Sequence, residues 1–272
     1  MKRILLVVRA EILKQQKHDY HSPFVYFSLL VWPVWPVLGF LEVYYTYKPF
    51  EITGYMGITD RKELLAFLGT GFMAYTCFWS MIQNAWSMAN QERTGGTLEI
   101  TFLSPANRLA MSYGRALGAL VQEMWMFCCF CVFILIYTGT LGLGNLVMLP
   151  FIFLLLIISS TIWGGMLNTV FMFSRDASII MDLFDMPMTL FSGSRIPVRC
   201  FPQWAKVLSL VFPLTYCLNI IRLVLHIQEE GNGWAADLSG LAVCLSIMAA
   251  ITVILIQKVE QHNRENGELQ FY

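Results

Sequence analysis

The sequence predicts an all-α integral membrane fold of six transmembrane helices, with an interfacial helix at the N-terminal end and a re-entrant hairpin before the last span. Three observations carry that expectation. Of 272 residues, 57% are hydrophobic and 13% are charged, whereas a soluble domain carries about 25% charged residues. Several runs close to 20 residues long contain no charge, the length at which a helix crosses a bilayer with its backbone polar groups satisfied internally. The longest uncharged run, Met124 to Ser174, exceeds any single span and breaks at the turn-rich stretch Thr138 to Asn145.

Residues 1–20 read as a helix lying on the membrane. Ile4, Leu5, Val8, Ile12 and Leu13 recur at helical spacing, and Lys2, Arg9, Lys14 and Lys17 can reach lipid phosphates. The apolar run Ile4 to Val8 stops at Arg9, too short for the apolar region of a secretory signal. Spans are expected over residues 24–41, 64–86, 116–138, 146–173, 177–194 and 238–257. Gly114-x-x-x-Gly118 at the start of the third is a weak helix-packing signal. Val207 to Ile221 is apolar but short and is cut by Pro213, so residues 195–222 read as re-entrant rather than spanning.

Six spans put both ends of the chain on one side, and basic residues choose the side. With the ends inside, the inner segments hold eleven Lys and Arg (Lys2, Arg3, Arg9, Lys14, Lys17, Arg93, Arg108, Arg115, Arg175, Lys258 and Arg264) and the outer segments seven. Both ends are therefore expected in the cytoplasm. The 18 basic and 18 acidic residues cancel, which gives no sign of a nucleic-acid partner.

No GxxxxGK[ST] phosphate loop occurs, so ATP binding by this chain is not expected. His18, His21, His226 and His262 form no HExxH, and the seven cysteines have no zinc spacing. No nucleophile motif is present. The chain is expected to be non-catalytic and to bind no metal or cofactor.

The longest inner polar stretch apart from the ends is Asn90 to Arg108. Within it, residues 91–105 hold Thr97 to Leu103, a short amphipathic helix candidate bounded by Gly95-Gly96 and Ser104-Pro105. Leu98 and Phe102, four apart, share its apolar face. Glu92, Arg93, Gly96, Thr97, Leu98, Glu99, Leu103, Ser104, Pro105 and Arg108 resemble the first signature of ABC-2 drug and antibiotic export permeases. A second stretch resembles that family's second signature: Ser192-Gly193, Pro197, Pro202-x-Trp204, Pro213-Leu214-Thr215-Tyr216 and Arg222.

The resemblance implies that the first stretch is a cytoplasmic coupling helix that meets a separate ABC ATPase, which uses ATP and Mg. It implies that the second is a pair of short helices dipping into the outer leaflet. It further implies a dimer of permease subunits, homo- or hetero-, served by two ATPase copies in the cell membrane. The substrate would be hydrophobic or amphipathic: a drug, antibiotic or peptide. Alternatives are a polysaccharide or lipid-linked glycan export permease, a membrane-embedded lipid-modifying enzyme, and a sensor subunit. An enzyme would need ionisable groups clustered at one depth, for which Asp182, Asp185 and Glu123 are the candidates.

The sequence departs from the family pattern at Asp182 and Asp185, three apart on one expected helix face. They read either as a cation-attracting mouth of the pathway or as interfacial acids paired with Arg175 or the N-terminal basic residues. Glu123, eight residues beyond Arg115, is expected to share that arginine's face in a structural role.

Overall fold

The computed structural model describes residues 2–19, 61–96, 107–139, 143–171, 177–225 and 233–266, together with positions 24, 27–28, 30–31, 34–35, 37–39 and 42. Every secondary-structure element among them is helical. They are α1 (Lys2–Asp19), α2 (Arg61–Thr94), α3 (Arg108–Ala116), α4 (Leu120–Thr138), α5 (Leu143–Phe171), α6 (Ala177–Phe191), α7 (Gln203–Ser209), α8 (Pro213–Val224) and α9 (Trp234–Asn266). Single 3-10 turns cover Leu117–Ala119 and Val198–Cys200.

Among the described residues, three helical stretches are long and apolar enough to cross a membrane: Lys62–Gln83, Val147–Leu167 and Trp234–Lys258. The pair α7 and α8, bent by 93°, makes a fourth if counted as one span. Of the other expected spans, 24–41 lies largely outside the described residues, and the third and fifth correspond to shorter helices. The 3-10 turn at Leu117–Ala119 separates α3 from α4, leaving the shorter apolar helix Glu123–Ile136 in place of 116–138. Helix α6 has 15 residues with Pro187 inside it. At 1.5 Å per residue its described stretch covers about 22 Å. The described positions between 24 and 42 are all helical.

The core gathers α2, α4, α5, α8 and α9, with Phe78, Met126, Leu156, Trp163, Leu218 and Leu241 among its buried side chains. Trp163 anchors its centre, with its ring 5.9 Å from Phe184 and 5.8 Å from Phe212. The outward sides are as apolar as the core: Val147 is 71% exposed and Met186 67%. Such uncovered apolar helix sides suit lipid rather than water.

Small residues let the helices close up. The ring of Tyr113 of α3 takes the space beside Gly165 of α5, and that of Tyr216 of α8 the space beside Gly240 of α9. At Gly114 of α3 an added Cβ would come within 3.2 Å of Val8 and Glu11. Helix α1 therefore presents its Val8 and Glu11 side to the bundle and leaves Ile4, Leu5, Leu6 and Leu13 outside.

Candidate functional site: a re-entrant bend closed by a buried arginine

The chain from Ser192 to Arg222 folds back on itself over α2, and each signature residue has a local reason for its identity. After α6, residues Ser192 to Ile196 form successive bends. Gly193 takes φ +84°, the left-handed region that glycine enters without penalty. The Ser194 hydroxyl donates to the Thr189 carbonyl at 3.0 Å and ties the bend to the end of α6. Pro197 precedes the 3-10 turn, its carbonyl accepting from the Cys200 N–H at 3.0 Å. Pro202 caps α7, where its carbonyl accepts from the N–H groups of Ala205 and Lys206, both at 3.0 Å. Trp204 is exposed and meets Phe191 edge-on at 5.8 Å.

The corner between α7 and α8 would strand backbone carbonyls in an apolar setting, which a membrane protein must avoid. Pro213 begins α8, where its missing N–H costs nothing. The Thr215 hydroxyl reaches back to the Ser209 carbonyl at 2.8 Å, and the Tyr216 hydroxyl to the Leu210 carbonyl at 3.1 Å. The Cys244 thiol of α9 donates to the Val211 carbonyl at 3.4 Å. Three successive carbonyls thus find side-chain donors, and the Pro-Leu-Thr-Tyr run reads as a device for making the 93° corner.

Arg222, in the last turn of α8, is 2% exposed. Its guanidinium donates to the Gly193 carbonyl at 2.8 Å and to those of Ser194 and Phe67 at 3.4 Å. Its Cζ also lies 3.6 Å from the centroid of the Phe67 ring, a cation–π contact of the desolvated kind. One side chain therefore joins the first bend, the last helix of the hairpin and α2. Gly71 makes room for this: a Cβ there would collide with the Ser194 carbonyl and lie 3.1 Å from Arg222 Nη2.

The described structure brings Ser192, Gly193, Pro197, Pro202, Trp204, Pro213, Tyr216 and Arg222 into this single folded region. Within the first signature, Glu92 and Arg93 fall in the last turn of α2. Gly96 ends the following turn with φ +67°. Thr97, Leu98, Glu99, Phe102 and Leu103 lie outside the described residues. On their far side Asn107 caps α3, its side-chain oxygen accepting from the Ala110 N–H at 3.2 Å.

The two acids Asp182 and Asp185 differ in their surroundings, and Arg175 lies outside the described residues. Asp185 is half-buried and accepts a hydrogen bond from Tyr75 of α2, while Asp182 is exposed. Three residues on a helix leave about 60° between side chains, and the edge of the packed face falls between them. Glu123, buried as a structural role requires, accepts from the Ser80 hydroxyl of α2, and Arg115 is buried with an interaction of its own. Gly71 and Ser80 escaped the sequence reading, and the partners of Phe67, Tyr75 and Cys244 were not foreseen. The only signal was two closely spaced glycines, Gly69 and Gly71, in an apolar run.

Membrane-length helices with apolar outer sides, packed around a corner whose carbonyls are answered from within, define a membrane-integral protein. The sequence model of the ABC-2 type transporter matches residues 8–226, and the chain belongs to that family. No curated protein matches it. Family membership makes the chain a permease component of an ABC transporter, a family of generally non-catalytic membrane transport parts, and implies an ABC ATPase as its partner.

Proposed function

We propose that this chain is the membrane subunit of an ATP-driven exporter, moving a hydrophobic or amphipathic substrate such as a drug, antibiotic or peptide out of the cell. It works as a dimer of permease subunits with two ATPase copies, in the cell membrane with both chain ends in the cytoplasm and six spans per subunit. Alternating access at the dimer interface carries the substrate.

The observation that carries this reading is the continuity of α2. It is one helix of 34 residues. At one end Phe67 and Gly71 meet Arg222 and the re-entrant bend. At the other, Glu92 and Arg93 lead into the coupling segment. The 25 residues from Phe67 to Glu92 span about 38 Å, and α2 runs eleven residues past Gln83, the end of its apolar stretch. A push on residues 91–105 by the ATPase therefore moves the outer hairpin through one stiff element.

An apolar anchor at the ATPase groove contributes about 2 kcal/mol or more, and rim charges contribute less. Leu98→Asp and Phe102→Asp should therefore abolish transport and uncouple the ATPase while the chain still inserts and dimerises; Glu92→Ala should be milder. The measurements are co-purification of the ATPase and substrate-stimulated ATP turnover in membranes. Wild-type values for both Asp variants would place the coupling element elsewhere, at the loop around Arg175.

A further inference from the structure

We propose that Asp182 is the charge-recognising residue of a site for organic cations, in which the Tyr75–Trp79 pair of α2 and the apolar ridge of α6 hold the body of the molecule. In the exporter reading on which this rests, the substrate is then of one class: a cationic centre carried on an apolar frame. Ile179, Leu183, Met186 and Leu190 recur at spacings of four, three and four along α6 and are all exposed. Asp182 stands on the flank of that ridge and is exposed as well. Among the described residues it forms no hydrogen bond or ion pair. It lies nine residues before Phe191, the end of α6 at the re-entrant bend, about 14 Å along the helix axis and well inside a hydrocarbon layer of about 30 Å.

Lipid is a poor cover for this face. A carboxylate at that depth calls for water, a cation or protein donors around it, and acids in membrane helices turn toward a water-filled cavity or a protein partner. A second copy of the chain is a poor cover too. Helix α6 carries no Lys or Arg between Ala177 and Phe191. Two α6 ridges packed about a two-fold axis would therefore bring like charges together with nothing on either helix to offset them. Asp182 fits a water-filled cleft beside α6. The other acid, Asp185, is already engaged by the Tyr75 hydroxyl, and Arg195 sits over the Phe72 ring in the bend with an interaction of its own.

A second feature stands at the same height. Gly71 meets the Ser194 carbonyl just beyond α6, and Tyr75 donates to Asp185 within it, so α2 and α6 lead away from the bend side by side. Trp79 comes one turn further along α2, and Asp182 three residues further back along α6. At 1.5 Å per residue they lie about 6 Å and about 4.5 Å beyond the Tyr75–Asp185 bond. The Tyr75 and Trp79 rings are stacked, with centroids 6.4 Å apart and planes 9° from parallel, and both are half-buried. Four residues apart, they share the helix face that meets α6. Aromatic faces attract cations through their quadrupole, Trp most of all, and more strongly where water is scarce. A carboxylate, a Trp–Tyr stack and an aliphatic ridge complement a cation with an apolar body and disfavour an anion of the same shape.

The test uses the full-length permease and two probes of matched shape and opposite fixed charge, tetraphenylphosphonium and tetraphenylborate. Equilibrium binding to the wild type should favour the phosphonium. Asp182→Asn should weaken phosphonium binding by about tenfold and leave borate binding no weaker. Asp182→Glu should keep the preference, and Trp79→Leu should weaken phosphonium binding by about two- to fivefold. No preference in the wild type, or equal losses of both probes in Asp182→Asn, overturns the site and leaves Asp182 a structural residue. Unchanged phosphonium affinity in Asp182→Asn overturns it too, and a tighter dimer beside that result would mean that a second copy covers the face. If Asp182→Asn fails to assemble, phosphonium affinity unchanged by Trp79→Leu overturns the site alone. ATP-driven transport by the permease with its ATPase is a separate readout. Cation binding through Asp182 without transport refutes the exporter reading and not the site; transport of both probes that Asp182→Asn leaves untouched refutes the site and not the exporter.

Discussion

Gly69→Ala and Gly71→Ala add the same methyl group two residues apart on α2, and their consequences should differ widely. At Gly69 the new Cβ would lie 3.7 Å from Ile134 Cδ1, an ordinary contact with the tip of a side chain. At Gly71 it would run into the Ser194 carbonyl oxygen, which is backbone, and would sit 3.1 Å from Arg222 Nη2. That carbonyl belongs to the bend set by Gly193 and must retreat by roughly an ångström, because a packed interior has no slack to absorb the overlap. The retreat pulls the bend off Arg222, whose bonds to it measure 2.8 Å and 3.4 Å. Overpacking costs about 1–3 kcal/mol, and loss of a hydrogen bond to a charged group about 1.5–3 kcal/mol. Alanine returns about 1 kcal/mol through its higher helix propensity. The net expectation is a loss of about 2–5 kcal/mol for Gly71→Ala, against a small gain of up to about 1 kcal/mol for Gly69→Ala. The assay is the thermal unfolding midpoint of each purified variant, read beside the rate of thiol labelling at Cys200 in the hairpin. Gly71→Ala should lower the midpoint and speed labelling, and Gly69→Ala should do neither. Equal midpoints would refute the placement of the bend against α2, and with it the role given to Arg222.

The same contacts set three further outcomes. Thr215→Val removes the side-chain donor from the Ser209 carbonyl, which keeps the Phe212 N–H at 3.2 Å; it should cost about 1 kcal/mol, more than Tyr216→Phe, whose bond to Leu210 is exposed, as read from unfolding midpoints. Asp185→Asn and Tyr75→Phe should show a coupling of about 1–2 kcal/mol in a double-mutant cycle, whereas Asp182→Asn should stay within about 0.5 kcal/mol of wild type; no coupling between Asp185 and Tyr75 would remove the link between α6 and α2. If Asp185 also attracts substrate, Asp185→Asn should reduce export of cationic substrates more than of neutral ones, and an equal reduction would leave it a purely structural role.

The features legible in the sequence were those that a local pattern encodes. Charge-free runs announced the membrane helices α2, α5 and α9, because lipid leaves few other options for such composition. Pro202 and Pro213 announced the interrupted hairpin, because proline forbids a continuous helix there. The family signatures added the order of the parts. Span limits fared less well: the third expected span contains a 3-10 turn at Leu117–Ala119, and Gly118 within it gave only an ambiguous hint. Paired partners were not legible at all. Arg222 binds three backbone carbonyls, and every residue has a carbonyl, so no residue type marks the recipients. Ser80 and Glu123 are 43 positions apart, Tyr75 and Asp185 110.

These unread pairings share one feature that bears on mechanism. Phe67 and Gly71 meet the arginine of α8, Phe72 lies under the Arg195 guanidinium at 5.7 Å, Tyr75 donates to Asp185 of α6, and Ser80 donates to Glu123 of α4. The polar partner in each case stands on a different element, while the other member stands on α2. In an apolar surrounding helices slide past one another with little penalty, since one methyl contact replaces another. Hydrogen bonds at Phe67, Tyr75 and Ser80, with the close approach at Gly71 and the ring contact at Phe72, remove that freedom and fix both its rotation and its height relative to α4, α6 and the hairpin. A helix held this way cannot follow a movement of its cytoplasmic end by slipping within the bundle. It must carry its partners with it or break specific bonds, and the bonds are therefore where the conformational states of this permease differ in energy.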